Sequence, residues 1–261
     1  MDSVDPPGRV LIVAPQPFYE NRGTPIAVRH VVAALCELGW KVDMLTFAVG
    51  EDLDLPGLRI FRVGRWLRFR SVPIGLSFRK VVLDSLLPFA IARRLLADRY
   101  DCVHAVEEAV YPALIAGRVA RIPVIFDMQS SIAEQLSLHP VIRHLRPWKP
   151  VNWLERKAYA RSDAVVCSAG ITQLFLEVDR SPRAHEWVFP GDDAGGTSDN
   201  DESLADSLPI PAGHKVVTYA GNFERNQGIA LLLDAIPHIV REYPDVVFVL
   251  IGASEPTAQR L

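Results

Sequence analysis

The chain has 261 residues, 49% of them hydrophobic and 23% charged, and a formal net charge of −3, which suits a soluble globular protein of one large or two modest domains. A charge this small excludes a global electrostatic attraction to nucleic acid, and no apolar stretch reaches the roughly 18–20 residues of a membrane-spanning helix. The N-terminus is no secretory signal and the three cysteines are widely spaced, so reduced thiols and a cytoplasmic location are expected.

The first part of the sequence alternates between strand and helix patterns. Arg9–Ala14 is an apolar run of strand length, helical spacing follows from Ile26 to Leu38 and ends at Gly39, and Lys41–Phe47 is a second strand. Further strands are predicted at Leu58–Arg62, Asp101–His104, Pro123–Asp127 and Ala164–Cys167, and helices at Ser77–Ala97, Ala109–Arg121 and Asn152–Ala160. This alternation predicts an α/β fold with a doubly wound, mainly parallel, Rossmann-like sheet.

Composition changes sharply after residue 190. Residues 191–213 contain six acidic residues and no Lys or Arg, so this segment cannot bury enough apolar area to fold by itself. A new βαβ pattern follows, with strands at Val216–Ala220 and Val246–Gly252 and a helix at Ile229–Glu242. We therefore predict a Rossmann-like domain over residues 1–190, an acidic linker over 191–213 and a partial second Rossmann-like domain over 214–261.

Ligands of an open parallel sheet bind at the carboxyl ends of its strands, so the loops that follow strands are the candidate sites. The loop after the first strand lacks the GxGxxG pattern of a simple NAD-dependent dehydrogenase. It offers Gly23, then Thr24 as a helix N-cap with Pro25 at the first helical position, and an anion there would gain roughly 0.3–1 kcal/mol. A long connecting loop with a good cap is the alternative interpretation.

Two further strand ends carry polar side chains. His104 ends the fourth predicted strand and is followed by Glu107 and Glu108, and carboxylates beside an imidazole suit proton transfer or the binding of sugar hydroxyls. The glutamates would equally suit the N-terminus of the next helix. Asp127 and Ser130 follow the next strand, where each suits either hydroxyl binding or helix capping.

The βαβ pattern that follows the linker contains a second candidate phosphate-binding loop, Tyr219–Gly228. Gly221 permits close backbone approach, and the helix that begins near Gly228 offers free N–H groups to a phosphate. Two such loops on either side of a linker suggest a ligand held between two Rossmann-like domains.

Two stretches interleave basic and aromatic residues, Arg62–Lys80 and His139–Lys157. This pattern suits an anionic membrane surface or a phosphorylated acceptor. A solvated face paired with acids elsewhere in the fold explains it equally well. We predict a cytoplasmic location and, if the first interpretation of these stretches is correct, a position at the inner face of the membrane.

Several segments resemble glycosyltransferase family 4, which has the GT-B fold. They are RVLIVAP, the RGTP loop, DCVHAVEE, ERKAYARSDAVVCSAG, VVTYAGNFERNQGIALLLDAI and VVFVLIGA. The resemblance runs from about Arg9 to the last residue. It implies two facing Rossmann-like domains, with an acceptor held by the first and an NDP-sugar donor held largely by the second.

The resemblance also implies a mechanism and roles for individual residues. Transfer retains the anomeric configuration and needs neither metal nor cofactor, because the donor phosphates assist the leaving group. The acceptor is a glycan or a lipid-linked molecule of the cell envelope. The implied catalytic residues are His104 and Glu107, the donor and phosphate ligands are Gly23, Thr24, Gly221, Asn222 and Gln227, and the acceptor-side residues are Arg22, Asp127 and Ser130.

The sequence departs from the family pattern at the site itself. The family often has His-x-His at the fourth strand end, where Val106 replaces the second His, and many relatives have His at the position of Gln129. Asn222 and Gln227 stand where relatives offer Arg and Lys to the pyrophosphate. The loss of one transition-state donor typically costs ~2.7–4 kcal/mol, and the family's paired-glutamate segment would lie beyond Leu261.

Two main hypotheses follow from the match and the departures. The first is an NDP-sugar-dependent retaining glycosyltransferase represented by an incomplete chain. The second is a non-catalytic binding or accessory protein on a GT-B scaffold. A sugar-nucleotide epimerase on the same scaffold is a third, more distant alternative.

Overall fold

A computed structural model describes residues 7–20, 23–69, 71–72, 77–138, 144, 148–168, 184–187, 208–211, 213–221, 223 and 228–252. The chain divides into two units, Met1–Phe189 and Pro190–Leu261. Within the described residues, no helix has the length and apolar character needed to cross a membrane.

The first unit is built on a seven-stranded sheet in the order β3-β2-β1-β4-β5-β6-β7, and every pair of neighbours is parallel. Its strands are β1 (Arg9–Ala14), β2 (Lys41–Phe47), β3 (Leu58–Val63), β4 (Cys102–Val106), β5 (Val124–Met128), β6 (Ala164–Ser168) and β7 (Ala184–Trp187). The direction of the strand order reverses between β1 and β4, which makes their carboxyl ends the topological switch point of the sheet. The predicted doubly wound parallel architecture is confirmed.

Five α-helices of this unit are α1 (Gly23–Glu37), α2 (Phe78–Ala97), α3 (Val110–Ala120), α4 (Ile132–Leu138) and α5 (Trp148–Arg161). Short 3-10 turns at Arg65–Leu67 and Glu107–Ala109 follow β3 and β4. Ser77 caps α2, since its hydroxyl accepts the backbone N–H of Lys80 at 3.2 Å.

The helices cover both faces of the sheet because side chains alternate along each strand. On β1, Val10, Ile12 and Ala14 pack with Val28 and Val32 of α1. Leu11 and Val13 of the same strand face the other way and pack in one cluster with side chains of α2, α3 and α5. The helix α1 therefore lies on one face, and α2, α3 and α5 form a layer on the other.

Three local expectations differ from the structure. The helix α1 begins at Gly23, so Thr24 lies in its first turn and is not the N-cap; Pro25 is tolerated there because first-turn N–H groups have no helical acceptor. The helix α4 was not predicted, since seven residues are too few for a clear apolar period. The strand β7, with the sequence AHEW, was missed because it lacks β-branched residues.

The second unit contains β8 (Lys215–Ala220), α6 (Ile229–Glu242) and β9 (Val246–Ile251), and its two strands are parallel. The ends of the strands approach closely, since the Gly221 amide donates to the Ile251 carbonyl at 3.0 Å. A Cβ on Gly252 would meet the Gly221 carbonyl oxygen at 2.1 Å, so glycine is required at position 252.

Candidate functional site

A buried hydrogen-bond chain lies at the carboxyl ends of β4 and β5, beside the switch point. His104 Nε2 lies 2.9 Å from Asp127 Oδ2, and the Gln129 amide donates to Asp127 Oδ1 at 2.5 Å. Asp127 is fully buried and His104 is 7% exposed. Because a carboxylate only accepts, this contact assigns the N–H to Nε2 and leaves Nδ1 of the neutral ring as the acceptor.

The register of the sheet brings these groups together. Val106 pairs with Asp127 across β4 and β5, and His104, two residues earlier, lies on the same face of the sheet as Val106. That face is the one covered by α1, where Val106 is fully buried in the apolar cluster. Val106 therefore contributes packing beside the polar chain.

The loops after β4 and β5 are joined by a second contact, in which the Ser130 hydroxyl donates to Glu107 Oε1 at 3.0 Å. Glu107 has a φ of 50°, a left-handed conformation that non-glycine residues adopt rarely and often at functional sites. The structure thus places Glu107 beside Ser130 and His104 beside Asp127.

An ionic cluster links α2 to the loops after β1 and β4. The Lys80 ammonium forms an ion pair with Glu108, donates to the Pro15 carbonyl at 3.1 Å and lies 3.6 Å from Asp84. Burial raises the pKa of the Asp84 carboxyl, against the opposing effect of Lys80. Sequence reasoning placed Lys80 only within a basic stretch; the i,i+4 pairing of Lys80 and Asp84 on a helix was the signal available.

Arg62 organises the loops at the same edge of the sheet. Its guanidinium donates to the carbonyls of Phe18, Phe47 and Val49 at 2.8 to 3.2 Å. The basic stretch that begins at Arg62 was interpreted either as a surface for an anionic partner or as a face paired with acids elsewhere in the fold. Arg62 fits the second interpretation, because it pairs with Asp52 and is bound to the loops after β1 and β2.

Glu155 is a buried carboxylate that fixes the segment following Ser130. It accepts hydrogen bonds from the Ser131 hydroxyl at 2.9 Å and from the backbone N–H groups of Ile132 and Ala133 at 2.6 and 3.2 Å. Burial raises the pKa of Glu155 although these donors oppose the effect. Glu155 therefore caps α4 from α5 and holds the loop after β5 in place.

The remaining candidate residues fall in other places. Gly23 and Thr24 occupy the first turn of α1, and Gly221 follows β8 in the second unit. Arg22, Asn222 and Gln227 lie outside the described residues.

The sequence matches the family described as Glycosyl transferase 4-like domain over residues 22–192. The chain belongs to this family. A curated relative, the phosphatidyl-myo-inositol mannosyltransferase of Mycobacterium leprae, is 23% identical over 257 residues, which cover 95% of this chain and 61% of the relative. The chain thus spans less than two thirds of the length of this relative.

Solved structures of similar proteins show the same fold. Sucrose-phosphate synthase from Thermosynechococcus elongatus superimposes with a TM-score of 0.67 at 18% identity, over 97% of this chain and 65% of that protein. The Anabaena protein HepE, solved in complex with UDP and glucose, gives a TM-score of 0.64 at 16% identity, over 97% of this chain and 63% of that protein. The architecture is that of the GT-B glycosyltransferases, as the sequence resemblance implied.

Proposed function

We propose that the chain is part of an NDP-sugar-dependent retaining glycosyltransferase that transfers a sugar to a glycan or lipid-linked acceptor. The observation that carries this proposal is the buried His104–Asp127–Gln129 chain at the switch point of a glycosyltransferase 4-like domain. Ligands of open α/β sheets bind at such switch points.

His104 is the proposed catalytic group. The hydrogen bond from Nε2 to Asp127 fixes the tautomer of the ring. Nδ1 is therefore the acceptor that the ring offers to a sugar hydroxyl. Asp127 is the proposed positioning residue, because both of its oxygens are already engaged within the protein. Glu107 and Ser130, joined by a hydrogen bond, are proposed to contact the donor sugar and the acceptor respectively.

The donor is proposed to be a nucleoside diphosphate sugar. Support comes from HepE, which was solved with UDP and glucose. The proposed phosphate ligands in the second unit are Gly221, Asn222 and Gln227, and those in the first unit are Gly23 and Thr24, at the start of α1. We further propose that neither metal nor cofactor is required and that configuration at the anomeric carbon is retained.

The acceptor is proposed to be a lipid-linked or cell-envelope glycan at the inner face of the membrane. Support comes from the mannosyltransferase relative, whose name states a phosphatidyl-myo-inositol substrate.

The test is transfer from a panel of nucleotide sugars to membrane lipid extracts, followed by NMR assignment of the product anomer. His104→Asn should lower kcat by about 100- to 1000-fold, the usual cost of one lost transition-state group. His238→Asn, at an exposed position on α6, is the matched control and should leave turnover unchanged. Transfer abolished by EDTA, or product with inverted configuration, would contradict the corresponding parts of the proposal.

A second candidate function is binding without catalysis on the same scaffold. It is favoured by Val106, which is fully buried in the α1-side cluster, and by Gln129, whose amide is committed to Asp127. Calorimetry that detects nucleotide-sugar binding, combined with no turnover of any donor, would favour this candidate. Because Val106 has no exposed surface, Val106→His would bury an imidazole in an apolar core and is not a clean restoration of the family motif.

A further inference from the structure

The helix layer formed by α2, α3 and α5 carries an unusual outward surface, which we call the helical face. Eight large apolar side chains on these helices are between 44% and 89% exposed: Phe78, Val81, Phe89, Leu96, Ile115, Val119, Trp153 and Leu154. They lie opposite the residues that pack on the sheet; on α2, for example, Leu83, Leu87 and Ile91 are buried while Phe89 and Leu96 face away. Because α3 packs between α2 and α5, the three outward stripes are neighbours.

Basic residues accompany these apolar side chains, and exposed acids do not. Seven exposed basic residues lie on the same three helices: Arg79, Arg93, Arg118, Lys149, Arg156, Lys157 and Arg161. The three helices contain only two acids, Asp84, which pairs with Lys80, and Glu155, which is buried beneath α4. The helical face is therefore positively charged although the whole chain has a net charge of −3.

The opposite layer provides an internal contrast. The helix α1 carries one basic residue, Arg29, and one acid, Glu37, both exposed. Charge and apolar exposure are thus concentrated on one side of the sheet. Scattered exposed apolar residues are ordinary, but a set gathered on adjoining helices marks an interaction surface.

We propose that the helical face docks on an anionic lipid bilayer. Basic residues attract acidic headgroups, and the exposed Phe, Trp, Leu, Ile and Val side chains suit the boundary between headgroups and acyl chains. A second copy of the chain is a poor occupant, because pairing this face with itself would oppose positive charges with no acid to balance them. The inference assigns a surface for the membrane location proposed above, and it does not depend on transferase activity.

The basic–aromatic stretches of the sequence coincide only in part with the helical face. Of the basic stretch Arg62–Lys80, Arg62 and Lys80 are turned into the fold and contribute nothing to the helical face. Arg118, Ile115 and Val119 on α3 belong to it, although no basic–aromatic pattern marked them.

The test is co-sedimentation of the full chain with vesicles, without any donor. We expect binding to vesicles in which about a third of the lipid is phosphatidylglycerol, none to phosphatidylcholine vesicles, and weaker binding as salt rises. The double variant Arg156→Gln/Lys157→Gln should weaken binding by roughly 30-fold, from two basic residues lost near the surface. The matched double variant Arg29→Gln/Lys41→Gln, which removes two exposed charges away from this face, should bind as the unchanged protein does.

Apolar contact is tested separately with Phe89→Ser and Trp153→Ser, whose folding is checked by circular dichroism. Both sites are exposed, so the fold should be preserved while vesicle binding falls. Equal binding to neutral and anionic vesicles, equal losses in the two double variants, or no vesicle binding would each overturn the proposal. So would a stable dimer that dissociates on Phe89→Ser. Loss of transfer with vesicle binding intact would count against the proposed function alone.

Discussion

The two edges of the same sheet carry polar networks of opposite character. At the amino-terminal edge, the Asp43 carboxylate accepts hydrogen bonds from Arg59 Nε and the Tyr100 hydroxyl, each at 2.6 Å. Asp98 nearby pairs with Arg9 at 2.7 Å and with Arg94 at 3.1 Å. Asp43 accepts from Arg59 on both oxygens and also from the Tyr100 hydroxyl. Asp98 contacts arginines with both oxygens, so the charges of these two carboxylates are paired within the fold.

At the carboxyl-terminal edge the carboxylates contact a lysine, a histidine and a hydroxyl. Asp84 and Glu108 contact Lys80, Asp127 contacts His104, and Glu107 accepts a hydrogen bond from the Ser130 hydroxyl. Two buried polar atoms at this edge, Gln16 Nε2 and Asp84 Oδ1, have no hydrogen-bond partner within the described part of the chain, and at the amino-terminal edge the same holds for Arg94 Nε. Such atoms cost free energy unless a ligand or water satisfies them.

We therefore assign the amino-terminal network to stability and propose that the carboxyl-terminal one serves binding. A network whose donors and acceptors match holds the fold together, whereas unmatched buried groups at a switch point are available to a ligand. Substitutions at the two edges should therefore separate loss of stability from loss of function.

The largest expected effect is on stability at the amino-terminal edge. Asp43→Ala leaves the half-exposed guanidinium of Arg59 and the buried Tyr100 hydroxyl without their shared acceptor, and each hydrogen bond to a charged group that is lost costs about 1.5–3 kcal/mol. Urea denaturation measures the loss in the free energy of unfolding. Asp54→Ala, at an exposed position, is the control and should change it by less than about 0.5 kcal/mol. Equal losses in the two variants would remove the structural role assigned to this network.

A smaller effect, on turnover, is expected at the carboxyl-terminal edge. Asp127→Asn keeps the shape but allows the amide to donate to His104 Nε2, which reverses the ring tautomer. Loss of a group that orients an active-site histidine typically costs 10- to 100-fold, so we expect about that decrease in kcat, with a shifted pH profile and an unchanged fold. A decrease in stability without any change in the pH profile would make Asp127 a purely structural residue.

The sequence was sufficient for most of the elements but not for the partners of their side chains. Apolar runs located six of the seven strands of the first unit, because buried parallel strands are continuous in hydrophobicity. His104 and Asp127 lie near the carboxyl ends of strands and Glu107 and Ser130 follow those strands, and this position made all four candidate site residues. Their pairing was not predictable, since it depends on the register between β4 and β5 and on the left-handed backbone of Glu107.

The amino-terminal network escaped prediction entirely. Asp43 and Arg59 lie inside strands that are otherwise apolar, and their partner Tyr100 is 57 residues from Asp43. No local pattern signals a contact across that separation. Glu155 likewise reads as an ordinary helix acid and is shown to be a buried cap only by the packing of α4 on α5.

At the carboxyl-terminal edge the neighbouring Ser130 and Ser131 have different partners, Glu107 and Glu155. Ser131→Ala removes a donor to buried Glu155 and should lower the free energy of unfolding by about 1–3 kcal/mol. Ser130→Ala removes only the half-buried contact to Glu107 and should cost about 0.5–1.5 kcal/mol or less, while raising KM for the acceptor. Urea denaturation and initial-rate kinetics on both variants test the distinction. A larger stability loss for Ser130→Ala would reverse the assignment.

The smallest expected effect is a contrast in pH dependence between the two edges. Burial favours a higher pKa for Asp43, but the hydrogen bonds from Arg59 and Tyr100 outweigh it and hold the pKa below its ordinary value. Its stabilisation is therefore complete above the unfolded-state pKa of about 3.9 and is lost as the pH falls through the lower folded-state value. For Asp84, burial raises the pKa, so its contribution is complete below about pH 3.9 and is lost as the pH rises through the raised value.

Substitution by asparagine isolates the two contributions. Relative to the unchanged protein, Asp43→Asn should become less stable as the pH rises from acid to neutral, because only the unchanged protein gains the Asp43 contribution. Asp84→Asn should become relatively more stable over the same range, because it no longer carries a buried carboxyl that resists ionisation. Urea denaturation at a series of pH values gives both slopes. Slopes of the same sign would mean that the two edges do not differ in how their carboxylates are paired, and the assignment of one edge to stability and the other to binding would fail.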